Sequence, residues 1–290
     1  MNDSPQRIGV LGCGLMGSGI AEVCARKGRE VVVVEVDVVA AEHGRERVLR
    51  SMGAAVARNK LDPAERDAAA ERLLFTHEWD ALADCDLVVE AIREDEASKV
   101  EAFARLDAAV TSPGAILASN TSSIPIMKLA MATTRPARVV GMHFFNPVPV
   151  LPLVELVPSL LTGDDTVDTV STFASDVLGK HVIRSKDRAG FVVNALLIPY
   201  LLSAIRMLES GFASAADIDT GMVQGCAHPM GPLALTDLIG LDTTMAVAES
   251  MYAEFKEPLY ASPPLLSRMV EAGLLGRKTG RGFHEYPPTT

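Results

Sequence analysis

The sequence predicts an α/β domain built on a mostly parallel sheet, followed by an all-α domain. Three observations carry that expectation. Short β-branched runs alternate with helical patterns from Arg7 onward. Several of those runs are apolar without interruption, as strands covered on both faces are. After Asp187 the apolar residues recur at helical spacing over stretches too long for a strand.

The elements follow in order. RIGVLG from Arg7, MGSGIAEVCARKG from Met16 and VVVVEVD from Val31 read as strand, helix and strand within about thirty residues, the length of one βαβ unit. HGRERVLRSMGAAVARNK from His43 reads as helix, whereas DLVVEAI (Asp86 to Ile92), AILASN (Ala115 to Asn120) and RVVGMHF (Arg138 to Phe144) read as further buried strands. HVIRS from His181 is the last short strand. SKDRAG then supplies polar residues and a glycine, which places the domain boundary at Lys186, with domains 1–186 and 187–290. FVVNALLIPYLLSAIRMLESG from Phe191 and DTTMAVAESMYAEF from Asp242 are helices.

Composition narrows the function. A chain of 290 residues with 48% hydrophobic and 22% charged residues buries a real core. Its formal charge of −10 repels nucleic acid and anionic membrane surfaces, so neither is expected as a partner. Cys13, Cys24, Cys85 and Cys226 form no CxxC pair, which suggests a reducing, cytoplasmic setting. The stretch MNDSPQRIGVLG holds no basic run followed by a long apolar core, so neither an export signal nor a membrane span is expected. No histidine has a second ligand at metal spacing, and no metal is expected.

Gly12, Gly14 and Gly17 form GxGxxG directly after a strand and before a helix. Backbone N–H groups at that helix start can approach a pyrophosphate without obstruction from Cβ atoms. Glu35 follows at the end of the second strand, where a carboxylate accepts hydrogen bonds from ribose hydroxyls. The first domain is therefore predicted to be a Rossmann-type NAD-binding domain. A 2′-phosphate would meet the charges of Glu35 and Asp37, which favours NAD over NADP. The plainer alternative is a glycine turn that only packs strand against helix.

The stretch GMHFFNPVPVLPLVELV, Gly141 to Val157, is almost wholly apolar or proline, yet it carries His143 and Glu155. Both side-chain types can exchange protons near neutral pH; a hydrogen-bonded core histidine is the bland alternative.

The chain resembles the 3-hydroxyacyl-CoA dehydrogenase family, and within it the stand-alone 3-hydroxybutyryl-CoA dehydrogenases. The resemblance is carried by GLMGSGIA (Gly14 to Ala21), VVEAIRED (Val88 to Asp95), SNTSSIPI (Ser119 to Ile126), HFFNPVPV (His143 to Val150), GFVVNALLIPY (Gly190 to Tyr200), HPMGPL (His228 to Leu233) and GRKTGRGFHEY (Gly276 to Tyr286). It implies NAD held by the loop Gly12, Gly14, Leu15, Met16 and Gly17 and by Glu35, Glu94, Lys99, Asn146 and Lys278. It implies His143 as proton acceptor, Glu155 as its partner, and Ser122 and Asn194 beside the substrate. Ser51 and Arg58, on one face of the helix after Glu42, match a serine and a lysine that hold coenzyme A in relatives; arginine keeps the charge with a different geometry. Three positions depart from the family pattern. DRAGFVVNA has Ala189 and Ala195 where relatives carry proline and arginine, and Glu35 stands where aspartate is common.

The expected activity is oxidation of a short (3S)-3-hydroxyacyl-CoA by NAD, with His143 as base and Glu155 fixing its tautomer. Two alternatives remain: a dehydrogenase of a free hydroxy acid or sugar acid, as in the lambda-crystallin relatives, and a non-catalytic NAD-binding protein. Long apolar helices such as that from Phe191 to Leu208 exceed what a small domain buries alone, so a homodimer joined through the C-terminal domain is expected.

Overall fold

The computed structural model describes residues 4–287, and the chain divides into two compact units after Arg188. That lies just beyond Lys186. The Asp187 carboxylate accepts hydrogen bonds from the N–H groups of Ile126 (2.7 Å) and Met127 (2.8 Å), which ties it to the first unit.

The strands are Arg7–Leu11 (β1), Glu30–Val34 (β2), Leu73–Thr76 (β3), Leu87–Glu90 (β4), Ile116–Ser119 (β5), Val139–Phe144 (β6), Leu153–Pro158 (β7) and His181–Arg184 (β8). They form one sheet in the order β3-β2-β1-β4-β5-β6-β7-β8, parallel at every pairing except β6 with β7. β1, β2 and β4 are buried almost throughout, as strands with both faces covered must be. The sequence pattern predicts no strand at β3, whose four residues LLFT hold no β-branched run.

Helices Leu15–Arg26 (α1), Val38–Ala57 (α2), Pro63–Glu71 (α3), Glu96–Ala109 (α4), Ile126–Ala130 (α5) and Asp164–Thr172 (α6) complete the first unit. Asp37, Asp62 and Asp95 cap α2, α3 and α4 through their side chains. α1 starts instead from Gly14 without a side-chain cap, so its first-turn N–H groups keep their hydrogen-bonding capacity for another acceptor. Ile8, Val10, Ile20, Val33, Val89, Met142 and Phe173 belong to one continuous core. The strand order reverses between β1 and β4, and crevices for ligands form at the carboxyl ends of strands at such a point.

The second unit contains Val193–Glu209 (α7), Ala215–Gly225 (α8), Pro232–Ile239 (α9), Leu241–Phe255 (α10) and Pro264–Glu271 (α11). α7 begins at Val193 rather than at Phe191, because Phe191 has a φ of 47° and breaks helical geometry. Ile198, Leu202, Ile205, Leu233, Leu241, Met251 and Leu266 form its core. The C-terminal segment is pinned by Asp237, whose carboxylate accepts from the N–H groups of Phe283 and His284 and from the Tyr286 hydroxyl, each at 2.9 Å. Burial and that carboxylate push the Tyr286 hydroxyl up to about 12. Among the described residues, no helix is long and apolar enough to cross a membrane.

Candidate active site

The glycine loop lies at the strand reversal, and each glycine is required for a different reason. Gly12 has a φ of 88°, and a Cβ there would meet the Ala91 carbonyl oxygen at 2.9 Å. A Cβ on Gly17 would lie 1.9 Å from the Gly12 carbonyl oxygen, so α1 packs on the end of β1 only without one. A Cβ on Gly14 would meet nothing within 4 Å. Its bare face is turned to open space, as close approach of a pyrophosphate requires.

Glu35 follows β2 directly. One carboxylate oxygen accepts from the Cys13 N–H and the other from the Val36 N–H, so the group is held while each oxygen retains acceptor capacity. Glu35, Gly12 and Gly14 line a cavity of about 920 Å³ that also reaches Ala91, Trp79 and Arg105. The uncapped helix start, the bare glycine face and the oriented carboxylate fit NAD. Asp37, by contrast, is engaged in capping α2 through the Ala40 N–H (2.7 Å).

The antiparallel register of β6 and β7 accounts for the spacing of His143 and Glu155. The two residues are direct cross-strand partners, so their side chains leave the same face of the sheet. His143 Nδ1 lies 2.7 Å from Glu155 Oε2. The pair is dry: His143 is 5% exposed and Glu155 0%. A carboxylate only accepts, so Nδ1 carries the proton and Nε2 becomes the proton-accepting nitrogen. Nε2 lies 3.1 Å from Ser122 Oγ, and the ring packs on Phe145 with centroids 4.6 Å apart. Ser122, His143 and Glu155 thus form one hydrogen-bonded line.

Ser122 sits on a turn held by Glu94. One Glu94 oxygen accepts from the Thr121 hydroxyl and from the N–H groups of Ser122 (2.7 Å) and Ser123 (3.2 Å). Burial pushes the Glu94 carboxyl up, but the Lys99 charge and these hydrogen bonds outweigh it and hold the group below the ordinary carboxylate range. Lys99, 1% exposed, bridges Glu94 (3.1 Å) and the wholly buried Glu90 (2.7 Å).

The remaining candidates are more dispersed. Asn146 is exposed in the loop after β6, and Ser51 and Arg58 are exposed on α2 and at its C-terminal end. In the second unit, Asn194 lies in the first turn of α7, and the Lys278 ammonium is 2.6 Å from both carboxylate oxygens of Asp242. Glu90 and Ser119 escape sequence reasoning, although a glutamate ending the all-apolar strand β4 is a readable signal. Lys180 escapes it too: its ammonium donates to the carbonyls of Val148 (2.6 Å) and Leu151 (2.7 Å) and braces the loop between His143 and Glu155. Among the described residues, no group of three or more His, Cys, Asp or Glu side chains is placed to hold a metal.

Comparison with known proteins places the chain. Residues 7–188 match the family described as 3-hydroxyacyl-CoA dehydrogenase, NAD binding domain, and residues 190–286 its C-terminal domain. A 3-hydroxybutyryl-CoA dehydrogenase of Mycobacterium tuberculosis is 59% identical over 286 residues, covering 99% of this chain and 100% of that protein. The crystal structure of M. tuberculosis FadB2 superposes with a TM-score of 0.97 at 58% identity, covering 98% of this chain and 100% of that one. That of (S)-3-hydroxybutyryl-CoA dehydrogenase PaaH1 from Ralstonia eutropha gives 0.92 at 45% identity, with 98% and 100% covered. With both halves matched in order, the chain belongs to the 3-hydroxyacyl-CoA dehydrogenase family.

Proposed function

We propose that this protein oxidises the 3-hydroxyl of a short (3S)-3-hydroxyacyl-CoA, 3-hydroxybutyryl-CoA in particular, to the 3-ketoacyl-CoA with NAD, and catalyses the reverse reduction. The observation that carries the reading is the line Ser122–His143–Glu155, with Nε2 left as the proton acceptor.

NAD, when bound, supplies the hydride acceptor. His143 Nε2 takes the hydroxyl proton of the substrate, the general-base task to which an imidazole is suited. Glu155 holds the ring in the productive tautomer and stabilises the imidazolium that forms. In reduction the imidazolium returns the proton to the developing alkoxide. Ser122 hydrogen-bonds the reacting oxygen or the thioester carbonyl.

Gly12, Gly14, Leu15, Met16 and Gly17 hold the pyrophosphate through the start of α1, and Glu35 holds the adenosine ribose. Asn146 is a further cofactor-binding candidate of the first unit, and Ser51 and Arg58 receive the coenzyme A moiety. The enzyme works in the cytoplasm as a homodimer joined through the second unit, where Leu196 (75% exposed) and Phe212 (78%) present large apolar side chains.

Glu155→Gln tests the site. The amide keeps the shape but removes the charge that stabilises imidazolium, so kcat should fall by ~10²-fold or more, with the pH profile displaced. An unchanged kcat and pH profile would show that the pair is structural.

A further inference from the structure

We propose that Arg47 is a positioning residue for the glycine loop: from α2 its guanidinium holds the Cys13 carbonyl and so sets the peptide that leads into Gly14. The proposal rests on the reading of that loop as the pyrophosphate site. Arg45 and Arg50, elsewhere on α2, stay on its exposed surface and pair with Glu42 (3.1 Å) and Glu46 (3.3 Å) of the same helix. Arg47 behaves differently. It is half-buried, and its Nη1 donates to the carbonyl oxygen of Cys13 at 2.5 Å.

Two further contacts converge on Cys13. α2 comes this close because residue 44 is glycine: a Cβ there would lie 2.7 Å from the Cys13 Cβ and 2.9 Å from its Sγ. One turn on from Gly44, residue 47 shares its side of the helix. The Cys13 N–H, in turn, donates to Glu35 Oε1. Cys13, 0% exposed, is therefore held at its N–H by Glu35, at its side chain by α2 and at its carbonyl by Arg47. A peptide unit is planar and trans, so a carbonyl drawn towards α2 turns the Gly14 N–H the opposite way, away from α2. At Gly14 the helix α1 starts without a side-chain cap and with a face open to space. A neutral donor would satisfy a buried carbonyl; a guanidinium adds a fixed geometry and a positive charge beside the start of α1, which favours an anionic pyrophosphate there.

Trp79, the single tryptophan of the chain, lines the same cavity as Gly14 and Glu35, so transfer of its excitation to NADH reads the Kd of the cofactor without substrate. Arg47→Met should raise that Kd about tenfold, with kcat at saturating NADH within about threefold and the KM for acetoacetyl-CoA within about twofold. Arg47→Lys keeps a charged donor and should bring the Kd back to within about threefold of the parent protein. The difference between Arg47→Met and the parent should persist at about 0.5 M KCl, where a charge acting only at long range is screened. Arg47→Gln keeps a polar side chain and should also weaken NADH binding; it carries the test where Arg47→Met does not fold. A lowered Tm with an unchanged Kd would overturn the proposal and leave the contact structural. So would a Kd difference that vanishes in salt, or a rise confined to the KM for acetoacetyl-CoA, which marks a coenzyme A contact on the helix of Ser51. An unaltered Kd in Gly14→Ala would instead remove the reading of the loop as the pyrophosphate site, and the proposal with it.

Discussion

His143 and Glu155 were recognisable in the sequence as polar residues in an apolar stretch, but their contact depends on the antiparallel register that brings them opposite each other. Ser122 is further removed, on the turn after a different strand, and only tertiary pairing brings its hydroxyl to Nε2. Glu90 and Lys99 illustrate the limit of residue-level reading. Nothing in local spacing says that an ammonium nine residues along will fold back onto a strand-end carboxylate. Acid stability adds a prediction at this scale. Burial raises the Asp107 carboxyl, but the Thr134 N–H and the Arg135 guanidinium more than compensate and hold it below its ordinary range. Its folded pKa then lies below its unfolded one. Its stabilising contribution is present above about pH 4 and lost as pH falls through the folded value. Asp107→Asn should lower Tm at neutral pH yet flatten its fall as pH drops below about 4. Parallel Tm–pH curves for the two proteins would contradict that assignment.

At the scale of elements, the βαβ start was legible because strand, glycine turn and helix each leave a local pattern, and α1, β1 and β2 fall on the expected segments. β3 was not, since its pairing with β2 is set by the sheet rather than by its own residues. The start of α7 shifted because a left-handed residue has no signature when it is phenylalanine. The glycines of the first loop separate structure from binding. Gly17→Ala drives a Cβ into the Gly12 carbonyl and should lower Tm markedly. Gly14→Ala meets open space, so the fold should persist while the KM for NADH rises about tenfold or more, because the new methyl occupies the pyrophosphate approach. Equal loss of Tm in both variants would refute this division. On α2, Arg58→Glu should raise the KM for acetoacetyl-CoA much more than that for NADH; equal changes would exclude a coenzyme A contact.

For the whole molecule, the chain divides after Arg188, and the second unit has a helical core of its own. The proposed joining of two copies through that unit predicts a dimer by sedimentation at micromolar concentration. A stable monomer there would refute joining through the second unit. The proposed activity is NAD-dependent chemistry at the 3-position of an acyl-CoA. Absorbance of the reduced cofactor tests it most directly, with acetoacetyl-CoA compared against free acetoacetate and NADH against NADPH. Rapid oxidation of NADH by acetoacetyl-CoA is expected, with kcat/KM at least ~10²-fold above that for free acetoacetate, since binding of the remote coenzyme A portion is used at the reacting centre. NADPH should be the poorer cofactor because Glu35 opposes its 2′-phosphate. Equal or faster turnover of the free acid, or none with either substrate, would contradict the account.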